Sequence, residues 1–113
     1  FNTLIENCTL YNSAGATSKG MIYVRFNANS TTIKNNLITN TNGILADQGA
    51  TTQPSFSGNN YFNAPNLITG SGSIKYDSSG SYTEYDPEFA NAAGADFTVQ
   101  NQLVTVGDPR WLP

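Results

Sequence analysis

The chain has 113 residues, a formal net charge of −3, and charged side chains at only 12% of its positions. A chain of this length can bury one modest core, which favours a single domain. Its five Lys and Arg residues are scattered, whereas nucleic-acid binding needs them clustered, so we expect no nucleic-acid partner. The sequence contains no apolar run long enough to span a membrane, and no histidine, the commonest general base and metal ligand.

An eight-residue pattern occurs three times, with apolar residues at its first and sixth positions and Asn at its eighth. The copies are Ile5–Asn12, Ile33–Asn40 and Phe56–Asn63. The third position is occupied by Asn7, Asn35 and Gly58. Asn and Gly both tolerate the left-handed backbone conformation, so the pattern predicts a tight bend at these positions, between two short strands.

A second register accompanies the first. Gly20 and Gly43 each lie 13 residues before a copy of the pattern, and each is followed by an apolar segment, Met21–Phe26 or Ile44–Ala46. The copies begin 28 and 23 residues apart, and the five extra residues fall in the Gly-, Ala- and Ser-rich stretch Ser13–Lys19. Repeats that tolerate insertion in a loop while their strands stay in register are typical of solenoids.

These spacings predict an all-β fold, a right-handed, single-stranded parallel β-helix with three short strands in each rung. The rungs would stack about 4.8 Å apart, with Ile5, Ile33 and Phe56 aligned in the core and asparagine ladders linking equivalent bends. An antiparallel sandwich also places turn signals every ~8–12 residues, but it does not account for equal spacings in separate registers. The density of Asn, Thr and Gly disfavours helices.

The repeat fades after Ile68, and an aromatic-bearing tail follows. We expect residues 1–85 to form the rungs and residues 86–113 to form a closing segment, because the last rung of a solenoid would otherwise expose its edge and core. The predicted plugs of this cap are Phe89, Phe97 and Trp111. Stacking against a sugar is the alternative role for Trp111.

The other end of the sequence shows no comparable cap. Phe1–Leu4 already lies inside the repeat. We therefore expect the chain to be the C-terminal part of a longer protein with preceding rungs. If it exists alone, we expect edge-to-edge self-association through its exposed first rung.

The repeated rungs, such as Ile33–Asn40, resemble those of the pectate-lyase-like right-handed β-helix superfamily. The stretches Asp86–Phe89 and Ala95–Val99 look like the closing segment common in its secreted members. The ending Gly107–Trp111 is similar to the C-terminus of surface β-helix proteins of Bacteroidetes, a family of uncharacterised function. The resemblance implies a secreted or cell-surface protein with polysaccharide lyases and hydrolases among its relatives, although such a fold carries many functions.

Candidate binding residues come from the second register. There Arg25 aligns with Gln48 and Val24 with Asp47, which would bring Arg25 and Asp47 onto neighbouring rungs. The predicted surface candidates for binding are Tyr23, Arg25, Asp47 and Gln48. A surface ion pair of little energetic value is the alternative interpretation.

Other polar groups carry no predicted chemistry. Lys75–Asp77 is interpreted as a solvated loop. Glu84, Asp86 and Glu88 lack the ligand spacing of a calcium loop. Cys8 has no histidine partner, so we interpret it as a small stacked core residue and not a nucleophile. We assign no catalytic residue, no metal ligand and no cofactor.

We therefore expect a non-catalytic C-terminal portion of a secreted or cell-surface β-helix protein, connected with polysaccharide binding or utilisation. The sequence feature that favours this function is that no carboxylate pair falls in register on adjacent rungs. The alternative is the C-terminal section of a polysaccharide lyase or glycoside hydrolase whose catalytic residues lie in upstream rungs, which the resemblance and the capless start favour.

Overall fold

The regular structure consists mainly of short strands, which bends and loops separate. The computed structural model describes residues 2–12, 30–41, 54–68 and 76–113. Its strands are β1 (Asn2–Glu6), β2 (Thr9–Tyr11), β3 (Ser30–Lys34), β4 (Leu37–Thr39), β5 (Ser55–Ser57), β6 (Asn60–Phe62), β7 (Phe89–Asn91) and β8 (Asp96–Val99). Its 3-10 helices are Pro65–Leu67, Ala92–Gly94 and Pro109–Trp111.

The strands form three short sheets within the described residues. One parallel sheet has the order β1-β3-β5, a second parallel sheet has the order β2-β4-β6, and β7 and β8 form an antiparallel pair. None of these sheets closes on itself or forms a solenoid, so the predicted right-handed parallel β-helix is wrong. The segments predicted as the third strand of each rung, Met21–Phe26 and Ile44–Ala46, lie outside the described residues.

The repeat register itself is confirmed by strand pairing. Ile5 pairs with Ile33, and Ile33 pairs with Phe56, across the first sheet. The 23-residue spacing therefore follows from strand pairing and does not require a solenoid. Two short strands on either side of a bend pair with their equivalents in the next copy, and this alone keeps the spacing equal.

An apolar cluster joins the two parallel sheets. The second sheet aligns Leu10, Ile38 and Tyr61 in the same way as the first aligns its apolar residues. The buried members of the cluster are Ile33, Ile38, Phe56, Tyr61, Ala64 and Leu67. Ile5 and Leu10, from the first copy, are only partly buried against it. The core is thus best enclosed around the second and third copies.

The bends have the backbone conformation that the sequence analysis expected. Asn7, Asn35 and Gly58 have φ of 56°, 56° and 65°. The third copy needs glycine for a second reason, because a Cβ at Gly58 would collide with Oδ1 of Asn35 in the copy beside it. The Asn that ends each copy is also left-handed, and in the third copy Asn63 donates to Asn40 Oδ1 at 2.9 Å.

A buried asparagine ladder follows the first bend of each copy. Asn36 Oδ1 accepts the N–H of Cys8 at 3.0 Å, and Asn59 Oδ1 accepts the N–H of Asn36 at 3.0 Å. The two side-chain amides donate to the carbonyls of Ile5 and Ile33 at 3.1 and 2.9 Å. This ladder lies one residue beyond the bends where it was expected. Cys8 occupies the same position in the first copy, where its half-buried thiol donates to Glu6 O at 3.3 Å.

The backbone pairing of the repeat continues beyond the third copy of the eight-residue pattern. Thr83 forms a parallel bridge with Asn60, again 23 residues earlier, through two backbone hydrogen bonds of 2.9 Å. The Asn60 side chain adds bonds to the Thr83 hydroxyl and to the backbone of Tyr85. The apolar pattern fades after Ile68, but backbone pairing persists to Thr83, within the residues 1–85 that were expected to continue the repeat.

The first sheet has an exposed edge among the described residues. β1 is its outer strand, and Leu4 on this strand is 56% exposed. Unpaired groups on a strand edge can pair with another chain. Self-association through this edge stays a prediction.

The C-terminal segment, residues 86–113, covers the outer face of the second sheet. Neighbouring residues of a strand point to opposite faces. Accordingly Ile38 enters the first cluster, whereas Leu37 is buried against Val99 and Val104 in a second cluster. The second sheet is thus enclosed on both faces.

The predicted cap residues occupy a different place from the one expected. Phe89 and Phe97 contact Tyr11, which belongs to the first copy of the repeat, and Trp111 contacts Phe97. They pack beside the first copy and do not plug the last one. The C-terminal segment buries Leu37 on the outer face of the second sheet against Val99 and Val104, and the removal of these apolar side chains from water favours that position.

Candidate functional site

Four aromatic side chains lie together where the C-terminal segment crosses β2. The ring centroid of Tyr11 lies 5.4 Å from that of Phe97 and 6.0 Å from that of Phe89. Phe97 lies 5.5 Å from Phe89 and 5.9 Å from Trp111. These separations are typical of favourable aromatic pairs. All four side chains are half-buried, so each keeps part of its ring in contact with solvent.

An open cleft of about 280 Å³ lies beside this cluster. One wall is β2, which contributes all three of its residues, Thr9, Leu10 and Tyr11. The other wall is formed by Phe97 and Trp111. We call this space the aromatic cleft. It combines ring faces with hydroxyl groups and the indole N–H, which is the mixture that fixes and orients a small ligand.

Gly107 allows the two walls to approach each other. Its N–H donates to the carbonyl of Asn35 at 3.1 Å, and the next N–H, of Asp108, donates to Thr9 Oγ1 at 2.9 Å. Gly107 has φ of 119°, and a Cβ there would lie 2.8 Å from Thr9 Oγ1 and 2.9 Å from Leu37 Cβ. A larger residue would therefore push the C-terminal segment away from β2 and widen the cleft.

The charged groups beside the cleft are paired with each other. Asp108 caps the Pro109–Trp111 helix by accepting the N–H of Arg110 at 3.1 Å, and its second oxygen lies 3.0 Å from Arg110 Nε. Beside Phe97 on the same wall, the Thr98 hydroxyl and then its N–H hold the pKa of Asp96 below its usual value. Within the described lining of the cleft, every side chain is uncharged.

Apart from the aromatic cleft, a buried polar cluster surrounds Tyr61 in the third copy of the repeat. The Tyr61 hydroxyl donates to Asp77 Oδ2 at 2.8 Å, and both side chains are almost fully buried. Ser79 donates its N–H and its hydroxyl to the other Asp77 oxygen at 3.0 and 2.6 Å. Burial, and then the charge of Asp77, raise the pKa of Tyr61 well above its usual range, so the phenol stays protonated.

This buried polar cluster corrects the interpretation of Asp77 as a solvated loop residue, since it is 1% exposed. Three donors satisfy its carboxylate, which is why burial is tolerated. Beside it lies a space of about 270 Å³ bordered by Asn63, Pro65 and Glu84. The Asp77–Tyr61 pair holds the chain after residue 76 against the core, which is a structural role.

Comparison with protein families gives one match, to a family model described as a domain of unknown function, DUF5123, over residues 3–111. The chain belongs to the DUF5123 family. Comparison with curated proteins and with solved structures gives no match.

The predicted binding residues of this DUF5123 chain cannot be placed in the aromatic cleft or elsewhere. Tyr23, Arg25, Asp47 and Gln48 lie outside the described residues. In the part of the chain that the structure describes, no three His, Cys, Asp or Glu residues are grouped closely enough to hold a metal ion. No helix in the same part has the length and hydropathy of a membrane span.

Sequence reasoning missed the partnership between Tyr11 and the C-terminal aromatic residues of the DUF5123 chain. The position of Tyr11 in the sequence pattern was a weak indication of this contact. Tyr11 aligns with Thr39 and Phe62 in the second sheet, at a position that the pattern leaves open to any residue. An aromatic residue there faces away from the first core cluster and needs a partner on the outer face, but the pattern does not say which one.

Proposed function

We propose that this chain is a non-catalytic domain of a secreted or cell-surface protein, and that it binds polysaccharide through the aromatic cleft. The observation that carries the proposal is the half-buried cluster of Tyr11, Phe97 and Trp111 around an open, uncharged space. Clefts lined by aromatic and apolar side chains together with a few polar groups are the usual form of small-ligand sites.

The lining suits the amphipathic shape of a pyranose ring. One face of the ring carries mostly C–H groups, which pack on aromatic faces, and its rim carries hydroxyl groups. The Thr9 hydroxyl accepts a bond from Asp108 N–H and keeps its proton for a ligand oxygen. The Tyr11 hydroxyl and the Trp111 indole N–H add further hydrogen-bonding groups.

Three carboxylates in the described residues are bound to other groups of the protein, which supports a non-catalytic role. Asp77 is bonded to Tyr61 and Ser79, Asp108 is paired with Arg110, and Glu6 lies 3.5 Å from Lys34 Nζ. Glycoside hydrolysis instead needs two carboxyl groups about 5–9.5 Å apart that face the substrate. The aromatic cleft has no such pair among its described lining residues.

The location outside the cytoplasm rests on composition and resemblance. The polar residues of the chain are mostly Asn, Thr, Ser and Gly, with few Lys and Glu. The resemblance to pectate-lyase-like proteins supports a link with carbohydrate, and it does so only by analogy, because function resides in the site and not in the family likeness.

A glycan array probed with the wild-type chain and with Trp111→Ala tests the proposal. We expect the wild-type chain to bind polysaccharide probes and Trp111→Ala to bind them weakly or not at all. Tyr85→Ala is the matched control, because Tyr85 is a 41% exposed aromatic residue outside the described lining of the cleft. Equal loss in both variants, or no binding by the wild-type chain, would contradict the proposal. Release of unsaturated product from a polyuronide by the wild-type chain would contradict its non-catalytic part.

A further inference from the structure

We infer that the aromatic cleft takes one or two units of a neutral, flexible glycan chain, and neither a polyuronide nor the flat face of a packed polysaccharide. This inference rests on the proposed function and adds the class of ligand. Three observations carry it: the relative orientation of the aromatic rings, the volume of the cleft and the distribution of charge around it.

The orientation of the rings argues against a flat ligand surface. The planes of Tyr11 and Phe97 are inclined by 49°, and those of Phe97 and Trp111 by 79°. A packed polysaccharide surface would need several rings in one plane to stack on it. Inclined rings instead border a concave space, which accepts a unit that can enter it from solution.

The size of the cleft limits how much of a glycan enters. Its volume is about 280 Å³, close to the lower end of the range of about 300–1,000 Å³ that holds drug-sized ligands. One or two sugar rings fit a space of this size, and a longer chain would continue into solvent through the open side. Affinity should therefore stop rising once the oligosaccharide exceeds a few units.

The charge distribution argues against a uronate. A carboxylate that enters an apolar cleft loses hydration and needs a cationic partner in return. The described lining contributes no charge, and the neighbouring guanidinium, Arg110, has its Nε bound to the Asp108 carboxylate. The chain as a whole carries a net charge of −3, which repels a polyanion.

The chain contains a built-in probe, because Trp111 is its only tryptophan and it lines the cleft. Intrinsic fluorescence should be followed while the protein is titrated with hexasaccharides of glucose, xylose or mannose, and separately with hexagalacturonate. We expect at least one neutral hexasaccharide to shift the Trp111 emission to shorter wavelength. Its affinity should be the same at about 0.05 and 0.5 M salt, since no ion pair forms.

Two variants locate the binding. Tyr11→Ala should weaken the neutral hexasaccharide roughly tenfold or more, because it removes one wall of the cleft and leaves the fluorophore in place. Tyr85→Ala should leave the affinity unchanged. Arg110→Gln should also leave it unchanged, whereas it would weaken binding of a uronate that used the guanidinium.

The outcomes separate this inference from the proposed function. Salt-sensitive binding of hexagalacturonate, or retention on microcrystalline cellulose without binding of any soluble oligosaccharide, overturns the inference and leaves the proposed function standing. Absence of binding to every carbohydrate overturns both. A Trp111 shift that depends on protein concentration alone shows that a second copy of the chain covers the cleft, and this also overturns both.

Discussion

Asn59 Oδ1 accepts two hydrogen bonds from Asn36, one from its backbone N–H at 3.0 Å and one from its side-chain amide at 3.1 Å. Both residues are completely buried. Each asparagine therefore completes the hydrogen bonds of the copy beside it, at a bend where the strand ladders are interrupted. The asparagine ladder supplies the polar contacts inside the stack that backbone pairing alone leaves unmade.

Replacement of Asn59 should destabilise the chain severely. Asn59→Ala leaves the buried N–H of Asn36 and the carbonyl of Ile33 without their bonds, and we expect a loss of at least about 2 kcal/mol in the free energy of unfolding. Urea unfolding followed by Trp111 fluorescence measures it.

The control for Asn59→Ala is Asn63→Gly, which removes the exposed bond to Asn40 and keeps a residue that tolerates φ of 57°. Its effect should be below about 1 kcal/mol. Similar losses of unfolding free energy in the two variants would show that burial does not increase the contribution of the ladder to stability.

Replacement of Gly107 should detach the C-terminal segment. Gly107→Ala places a methyl group against Thr9 Oγ1 and Leu37 Cβ, so the segment must move away from β2. We expect faster proteolysis within residues 86–113 and stronger quenching of Trp111 by acrylamide.

Gly80→Ala is the matched control for Gly107→Ala. Gly80 also has a positive φ, 74°, but an added Cβ there meets nothing within 4 Å. This variant should show only the backbone cost of about 1–2 kcal/mol, without exposure of Trp111. If Gly80→Ala exposed Trp111 as much as Gly107→Ala, backbone strain and not the close approach would explain the result.

The buried Tyr61 predicts a loss of stability in alkali. Because its pKa is raised in the folded state, the contribution is fully present below the ordinary tyrosine pKa and is lost as pH rises above it, where the unfolded phenol ionises and the folded one does not. Unfolding curves at several alkaline pH values should show this decline in the wild-type chain.

Tyr61→Phe tests the assignment of that decline. The variant should be less stable at neutral pH by about 1–3 kcal/mol, because the buried Asp77 carboxylate loses one donor. Its stability should fall less steeply in alkali. Tyr85→Phe, at a tyrosine that is 41% exposed, is the control and should keep the wild-type decline. An unchanged decline in Tyr61→Phe would refute the assignment.

Asp96 should titrate at lower pH than an ordinary aspartate. The Thr98 hydroxyl is the main cause, so Thr98→Val should raise the pKa of Asp96 towards its usual value, and Thr98→Ser should not. The stability contribution is present above the unfolded pKa and is lost as pH falls through the folded one. An NMR titration of the Asp96 carboxyl measures the shift, and identical titrations in the two variants would contradict it.

Local features of the sequence were sufficient to predict the strand register and the bends. Ile5, Ile33 and Phe56 recur at the spacing of the paired strands, and a left-handed bend selects Asn or Gly through its own backbone sterics. The same periodicity led to the wrong prediction of a β-helix. Equal spacing shows that copies pair, but it does not show whether the sheets close around a common axis.

What the sequence by itself determined about this protein is therefore the pairing of the repeat and the conformation of its bends, because both depend on residues whose spacing is regular. Only the tertiary structure decided where residues 86–113 lie. The bond from Asp108 N–H to Thr9 Oγ1 joins residues 99 positions apart, and no period connects them. The aromatic cleft lies where residues 86–113 cover β2 and bury Leu37 on the outer face of the second sheet. That face forms only when the three strands pair, so no local feature of the sequence shows which segment covers it.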